Sequence, residues 1–133
     1  MSRRVLVTGA AGFIGMHTAA ALLDRGDEVV GVDNLDPYYD VALKEARLAR
    51  LSGRAGFAFE RLDLADADAT ARLFREGAFD GVVHLAAQPG VRYSLVNPAA
   101  YFRANVDAFG SVLEGCRHAR VGHLVYASSS SGY

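Results

Sequence analysis

The stretch VTGAAGFIG, residues 7–15, sets three glycines between an apolar run typical of a strand and a run of helical period. Gly9 allows a tight turn, Gly12 allows a pyrophosphate to come close to the backbone, and Gly15 allows the helix to pack closely on the strand. The N–H groups and the positive dipole end of a helix that begins here favour a phosphate. We therefore predict a strand–turn–helix unit that binds the pyrophosphate of a dinucleotide.

Asp33 ends the next apolar run and indicates which dinucleotide is bound. It lies about 20 residues beyond the glycines, where an acidic side chain accepts hydrogen bonds from both hydroxyl groups of the adenosine ribose. A carboxylate also disfavours a 2′-phosphate, and no arginine follows Asp33 immediately, so NAD is predicted rather than NADP. The alternative is that the glycines only close a turn and that Asp33 is a solvated strand end.

Short β-branched runs alternate with longer runs of helical period along the chain. The predicted strands are residues 4–9, 27–33, 56–63, 80–87 and 122–129. The predicted helices run from the glycine-rich stretch to Asp24–Arg25, with Gly26 as the stop, and over residues 41–51, 67–76 and 97–116. This alternation predicts a parallel sheet with helices on both faces. We therefore predict one α/β domain, residues 1–133, with a doubly wound Rossmann-type sheet of about five strands.

The fourth predicted helix has the clearest signal. Asn97 is expected to cap it, and Pro98 occupies its first position. Its apolar residues recur at spacings of four and three and are Phe102, Val106, Phe109, Leu113 and Cys116. We predict that this stripe is either part of the core or a subunit contact.

Composition excludes several classes of function. The chain is 51% hydrophobic and 22% charged with a net charge of -1, which indicates neither disorder nor electrostatic binding of nucleic acid. No apolar run reaches the roughly 20 residues that span a bilayer, and the N-terminus has no signal-peptide pattern. We therefore predict no membrane partner and a cytoplasmic location. Cys116 is the only cysteine, which excludes an internal disulfide and a cysteine metal cluster, and no metal site is predicted.

Two further strand ends are predicted to face the glycine-rich turn, since ligands of such sheets bind at the carboxyl ends of the strands. After the third strand, Asp63 suits the amino group of adenine and Leu64 suits its ring, with a helix-capping or loop carboxylate as the alternative for Asp63. After the fourth strand, residues 85–87 leave room for a cofactor along the backbone. His84, inside that strand, is interpreted as a core histidine rather than a catalytic one.

Longer stretches of the sequence carry a family resemblance. They are VLVTGAAGFIG, VDNLDPYYDVALKEARLARL, HLAAQPGVRYSLVNP, NVDAFGSVLEGCRH and VYASSSSGY. Together they resemble the extended short-chain dehydrogenase/reductase family of NAD-dependent epimerases and dehydratases, and most closely its UDP-glucuronate 4-epimerases. The glycine pattern is common to the whole superfamily, whereas DPYYDVALKEARLARL and GVRYS are similar to stretches of the sugar-acid epimerases. The resemblance implies NAD as cofactor and a UDP-sugar of the UDP-glucuronate class as substrate.

The resemblance also implies an epimerisation without net redox change. NAD takes a hydride from C4 of the nucleotide sugar, the 4-keto intermediate turns, and the hydride returns to the other face. In this family the base is the tyrosine of a Tyr-x-x-x-Lys motif, and a serine or threonine after the fifth strand holds the same oxygen. The family's SSSSVYG pattern aligns Ser129 with that residue. Without the family, this serine run is typical of a flexible polar tail.

Pattern and resemblance together give the predicted site. The cofactor-binding residues are Gly9, Gly12, Phe13, Ile14, Gly15, Asp33, Asn34, Asp63, Leu64, Leu85, Ala86, Ala87 and Asn105. The catalytic residue is Ser129, and the substrate-binding residues are Arg92, Ser94, Ser130 and Ser131. The Arg92 guanidinium matches a carboxylate or a diphosphate, with a surface arginine as the alternative. Related dehydratases and decarboxylases carry an acidic residue at the position of Ser131, so serine favours epimerisation.

The Tyr-x-x-x-Lys motif is missing from this sequence. The only lysine is Lys44, and the residue four positions before it is Asp40. We therefore expect the incomplete front part of a larger enzyme, inactive alone, which forms a homodimer through the helix at 97–116 when full-length. The alternatives are a stand-alone module that binds NAD or another adenine nucleotide without turnover, or another NAD-dependent sugar-nucleotide epimerase or decarboxylase.

Overall fold

Strands and helices alternate along the chain in a computed structural model that describes residues 3–35, 41–85 and 106–126. The elements are β1 (Arg4–Thr8), α1 (Phe13–Asp24), β2 (Glu28–Asp33), α2 (Val41–Ser52), β3 (Phe57–Arg61), α3 (Ala67–Gly77), β4 (Gly81–His84), α4 (Ala108–Ala119) and β5 (His123–Tyr126). The five strands form one parallel sheet in the order β3-β2-β1-β4-β5. The predicted α/β fold with a doubly wound parallel sheet is confirmed.

Both faces of the sheet are covered because the residues of β1 alternate between two apolar cores. Val5 and Val7 pack with buried residues of α1 and with Leu51 of α2. Leu6, between them, packs in a second cluster with buried residues of α3 and α4. Leu6 and Val7 are fully buried. Since all the pairings are parallel, the carboxyl ends of β2, β1 and β4 meet at one edge of the sheet.

The helix boundaries follow local signals in the sequence. Gly26 ends α1 with φ +96, a left-handed conformation that glycine adopts without strain. The Asp66 side chain accepts a hydrogen bond from the backbone N–H of Ala69 at 3.1 Å and so caps α3. The predicted ends of the first three helices therefore hold to within one or two residues. None of the described helices has the length and apolar character that crossing a bilayer requires.

The structure corrects the predicted burial of the fourth helix. Val106 and Leu113, both in the predicted apolar stripe, are 55% and 44% exposed. The buried positions of α4 are instead Ala108, Val112 and Gly115. The core alternative is therefore wrong for Val106 and Leu113, and the subunit-contact alternative stays a prediction for them.

Small residues explain this error. A Cβ on Gly115 would overlap the ring of Phe74 in α3, so the two helices approach each other through a residue without a side chain. Such residues add nothing to an apolar periodicity, although they form the contact. Cys116 packs at the edge of the same cluster, as predicted. The helix continues to Ala119, beyond the predicted end, and its predicted start lies outside the described residues.

Candidate cofactor-binding site

The glycine-rich turn connects β1 to α1 and is fixed by backbone hydrogen bonds. Gly9 has φ +69, and its carbonyl oxygen accepts a hydrogen bond from Gly12 N at 3.0 Å. Ala10 N donates to the carbonyl oxygen of Val32 at 3.2 Å, which ties the turn to the end of β2. The tight turn that the sequence predicted at Gly9 is therefore present.

Gly15 brings the helix against the turn. A Cβ at this position would overlap the carbonyl oxygen of Gly9 and would lie 3.1 Å from the Cα of Ala10. Both contacts are with backbone, which has little freedom to move aside, so only glycine fits. The close packing predicted for Gly15 is present, and it fixes the direction in which α1 leaves the sheet.

The N-terminal turn of α1 has the features of an anion site. Gly12 is the N-cap residue and has no side chain to compete for the backbone N–H groups of this turn. The first bond of the helix runs from Met16 N to Gly12 O at 2.9 Å, so the N–H groups of residues 13–15 precede the hydrogen-bonded ladder. Phe13 and Ile14 are 63% and 65% exposed. The helix dipole adds partial positive charge where these N–H groups lie.

Asp33 joins this turn to the end of β2. One carboxylate oxygen, Oδ2, accepts a hydrogen bond from Ala11 N at 3.1 Å, and the other, Oδ1, accepts one from Leu35 N at 2.7 Å. The residue is only 8% exposed, so the carboxylate is held in one orientation. Asn34, which follows it, is exposed. The structure thus places Asp33 beside the glycine-rich turn, as predicted, and its contact with a ribose stays a prediction.

Two cations of α2, for which no sequence motif predicted a role, also reach this site. Lys44 is buried, and its Nζ lies 3.7 Å from Oδ1 of Asp33. One turn later, Arg47 donates from Nη1 to the carbonyl oxygen of Ala11 at 3.4 Å, and its guanidinium lies 5.9 Å from the centre of the Phe13 ring. Their spacing of three residues places both cations on one face of a predicted helix, but the burial of that face, seen at Leu51, is known only from the structure.

Asp63 and Leu64 follow β3 as the sequence predicted, but their side chains differ in surroundings. Oδ1 of Asp63 accepts a hydrogen bond from Ala65 N at 2.9 Å, which agrees with the loop-carboxylate alternative and still leaves the residue partly exposed. Leu64 is 5% exposed and belongs to the core cluster on the α3 and α4 face. Its side chain therefore offers little surface to an adenine ring, because the core already contacts it.

Thr8 links the ends of β1 and β4. Its hydroxyl oxygen accepts a hydrogen bond from Leu85 N at 2.9 Å and lies 2.7 Å from Nδ1 of His84. A threonine hydroxyl donates one hydrogen bond and accepts two, so Thr8 can bond to Leu85 N and to the His84 ring together, and the tautomer of the ring decides the direction of the second bond. The His84 ring is 5.4 Å from the Phe109 ring and nearly parallel to it. Burial lowers the pKa of His84 to about 4.

His84 is therefore a satisfied core histidine, in agreement with the sequence interpretation.

The other predicted site residues fall outside the described part of the chain: Ala86, Ala87, Arg92, Ser94, Asn105, Ser129, Ser130 and Ser131. Within the described part, no group of histidine, cysteine or carboxylate side chains could hold a metal ion. The described site thus consists of the glycine-rich turn, Asp33 with the two cations of α2, and the ends of β3 and β4.

A family model and a curated relative match this chain over nearly its full length. The sequence model of the NAD dependent epimerase/dehydratase family matches residues 5–133. UDP-glucuronate 4-epimerase 1 of Arabidopsis thaliana is 52% identical over 130 residues, which are 97% of this chain and 30% of that protein.

Solved structures share the fold. A variant of the UDP-glucuronic acid 4-epimerase from Bacillus cereus, in complex with UDP-4-deoxy-4-fluoro-glucuronic acid and NAD, has a TM-score of 0.88 and 36% identity over 98% of this chain and 41% of its own. The UDP-glucose 4-epimerase of Thermus thermophilus, in complex with NAD, has a TM-score of 0.79 and 40% identity over 95% of this chain and 37% of its own. This chain therefore spans less than half the length of these relatives.

Proposed function

The chain belongs to the NAD dependent epimerase/dehydratase family, and on that premise we propose that it is the NAD-binding part of a nucleotide-sugar 4-epimerase. The observation that carries the proposal is the hydrogen bond between Ala11 N and Asp33, at 3.1 Å, which joins the predicted pyrophosphate and ribose positions. Both lie at the carboxyl edge of the sheet, where ligands of doubly wound sheets bind.

The described residues suit the adenosine and pyrophosphate parts of NAD. The N–H groups of Phe13 and Ile14 would bind the pyrophosphate at the positive end of α1. Asp33 would accept hydrogen bonds from the ribose hydroxyls, with Asn34 beside it, and Asp63 would accept one from the adenine amino group. Leu85, whose backbone N–H donates a hydrogen bond to the Thr8 hydroxyl, would be the first residue of the wall around the nicotinamide half of NAD. When bound, NAD supplies the hydride acceptor for the reaction.

The proposed substrate is UDP-glucuronate, converted to UDP-galacturonate by transient oxidation at C4. The identity to the plant UDP-glucuronate 4-epimerase, and the structural similarity to the Bacillus enzyme with its UDP-glucuronic acid analogue, support this choice. Ser129 is proposed to hold the reacting oxygen, and Ser130 and Ser131 to face the sugar. Arg92 and Ser94 are proposed to contact the substrate's carboxylate or diphosphate. The runner-up within the enzyme class is another NAD-dependent sugar-nucleotide epimerase or decarboxylase.

We propose that the chain alone does not convert a nucleotide sugar. The sequence has no Tyr-x-x-x-Lys motif, because its only lysine is Lys44 and the position four before it is Asp40. A longer protein would supply that base, would form a homodimer through the helix at 97–116, and would work in the cytoplasm. The second candidate function is a stand-alone module that binds NAD or another adenine nucleotide without catalysis, and it is favoured by the same missing motif.

Calorimetric titration with NAD, NADP and ADP tests the proposal directly. We expect NAD and ADP to bind and NADP to bind at least tenfold more weakly. Asp33→Ala should weaken NAD binding by about tenfold or more, because the ribose hydroxyls lose a charged acceptor. Asp68→Ala, which removes a carboxylate from the exposed side of α3, should leave NAD binding unchanged.

A folded chain that binds neither NAD nor ADP would contradict the proposal. To separate enzyme from binding module, the full-length protein that carries this sequence is assayed with UDP-glucuronate, UDP-galactose and UDP-glucose. Conversion of UDP-glucuronate alone supports the proposed substrate, and conversion of a neutral sugar instead favours the runner-up. NAD binding with no conversion of any of the three favours the module.

A further inference from the structure

The ion pair between Lys44 and Asp33 is the least expected feature of the site. The two side chains are 11% and 7% exposed, and Nζ lies 3.7 Å from Oδ1. The pair therefore lies in a poorly solvated place, where the attraction between the charges is screened far less than at the surface. The carboxylate of Asp33 is thus paired with a cation.

Lys44 is held at this position by its helix. It lies on the face of α2 that also carries Arg47, and the Arg47 side chain reaches the glycine-rich turn through Ala11 O at 3.4 Å. Farther along the helix, Leu51 is 1% exposed and belongs to the core under α1. Since the helix is fixed at its core end and at the turn, the backbone of Lys44 lies beside Asp33, and its ammonium lies at the edge of the predicted ribose position.

The presence of a cation changes the physical account of cofactor choice. A carboxylate disfavours NADP because it repels the 2′-phosphate, yet an ammonium at the same place attracts one. In this protein both groups are present, and the ammonium of Lys44 is already paired with the carboxylate of Asp33. The preference for NAD then depends on the carboxylate in two ways, since Asp33 repels the phosphate and also keeps Lys44 from binding it.

We infer that Lys44 is a latent binding residue for the 2′-phosphate of adenine nucleotides, which the ion pair with Asp33 keeps unavailable. The inference rests on the proposed binding of NAD at this site. Removal of the Asp33 charge releases the ammonium of Lys44. The site then prefers a ribose that carries a 2′-phosphate to a ribose with two free hydroxyl groups. A competing cation is Arg61, the strand partner of Asp33 in the β2–β3 register.

The test compares AMP with adenosine 2′,5′-bisphosphate, which differ only by the 2′-phosphate and need no nicotinamide wall. Affinities are measured by calorimetry at low and high salt. The wild-type protein should prefer AMP. Asp33→Asn, which keeps the size of the side chain, should improve the affinity for the bisphosphate relative to AMP by about tenfold or more, as expected for one new charged contact. The gain should shrink as salt is raised.

Double variants assign the gain to a residue. Asp33→Asn with Lys44→Met should lose the gain, whereas Asp33→Asn with Lys44→Arg should keep part of it. Asp33→Asn with Arg50→Met removes one positive charge from the exposed side of the same helix and should keep the gain. Thermal melting by circular dichroism checks that each variant is folded, and Asp33→Ser replaces Asp33→Asn if the amide variant does not fold.

Three results would overturn the inference. The first is an unchanged preference in folded Asp33→Asn and Asp33→Ser. The second is a gain that survives Lys44→Met but disappears with Arg61→Met, which would assign the phosphate contact to β3. In both of these cases wild-type binding of AMP and NAD leaves the proposed function standing. The third is a folded wild-type protein that binds neither AMP nor NAD, which would refute the proposed function together with the inference.

Discussion

At the scale of single residues, spacing in the sequence predicted some positions of the site and left others out. Gly9, Gly15 and Asp33 were predictable because their geometry follows from a short strand–turn–helix unit and the strand beside it. Lys44 was not, because its burial depends on where α2 lies on the sheet. A lysine in a helical pattern is typical of a solvated face, and only the packed structure shows it against Asp33.

The burial of His84 predicts how the stability of the protein depends on pH. Its pKa is lowered to about 4 from an ordinary 6.5, so the unfolded chain binds more protons than the folded chain between these pH values. The stability that the folded chain gains by keeping His84 neutral is therefore fully present above pH 6.5 and is lost as the pH falls from 6.5 to about 4. From this residue alone we expect the free energy of unfolding to be about 2 kcal/mol lower at pH 5 than at pH 7.5.

Urea denaturation at the two pH values measures this loss. His84→Asn keeps a hydrogen-bonding side chain beside the Thr8 hydroxyl but does not titrate, so its free energy of unfolding should change less between pH 7.5 and pH 5. His118→Asn removes an exposed histidine of α4 and should behave like the wild type. Equal pH dependence in all three proteins would show that His84 is not the group responsible.

At the scale of elements, the strands and the first three helices were predictable because apolar runs, Gly26 and the acidic cap of α3 are local signals. The contact between α3 and α4 was not, since Gly115 makes it without a side chain. The sequence stripe therefore selected Val106 and Leu113, which the structure leaves exposed. Burial of a helix face depends on the neighbour it packs against as well as on its own period.

Two glycines of α4 provide a matched test of this contact. Gly115→Ala places a methyl group against the Phe74 ring and should cost about 1–3 kcal/mol of stability through overpacking. Gly110→Ala, on the same helix, meets nothing within 4 Å and should stabilise the protein by up to about 1 kcal/mol, because alanine favours the helix. Thermal or urea unfolding of both variants measures the difference, and a Gly115→Ala protein as stable as Gly110→Ala would contradict the described packing.

At the scale of the whole molecule, the alternation of strands and helices predicted the sheet and its two covered faces. The order β3-β2-β1-β4-β5 agrees with right-handed crossovers in a doubly wound sheet. Composition did not indicate how much apolar surface would stay uncovered. Leu113 on α4 and Val106, two residues before that helix begins, are exposed, as are Val125 and Tyr126 on β5. The rings of Phe109 and Tyr126 are 5.0 Å apart.

This surface predicts that the isolated chain self-associates and is only marginally stable. Leu113→Glu should shift the chain towards the monomer, because a charge then replaces an apolar contact. Leu43→Glu, at a leucine of similar exposure on α2, should not. Light scattering after size-exclusion chromatography at several concentrations measures the change. A wild-type chain that stays monomeric and monodisperse at high concentration would refute this prediction.

The central position of β1 has a consequence for synthesis of the protein. Of the five described strands, β1 is made first, yet one of its edges pairs with β4, and the bond from Arg4 N to Asp80 Oδ2 spans 76 residues of sequence. At the ribosome's pace of about 5–20 residues per second, that edge waits roughly 4–15 s for its partner. During translation the nascent chain therefore carries an unpaired apolar strand edge, open to the wrong neighbour until β4 emerges.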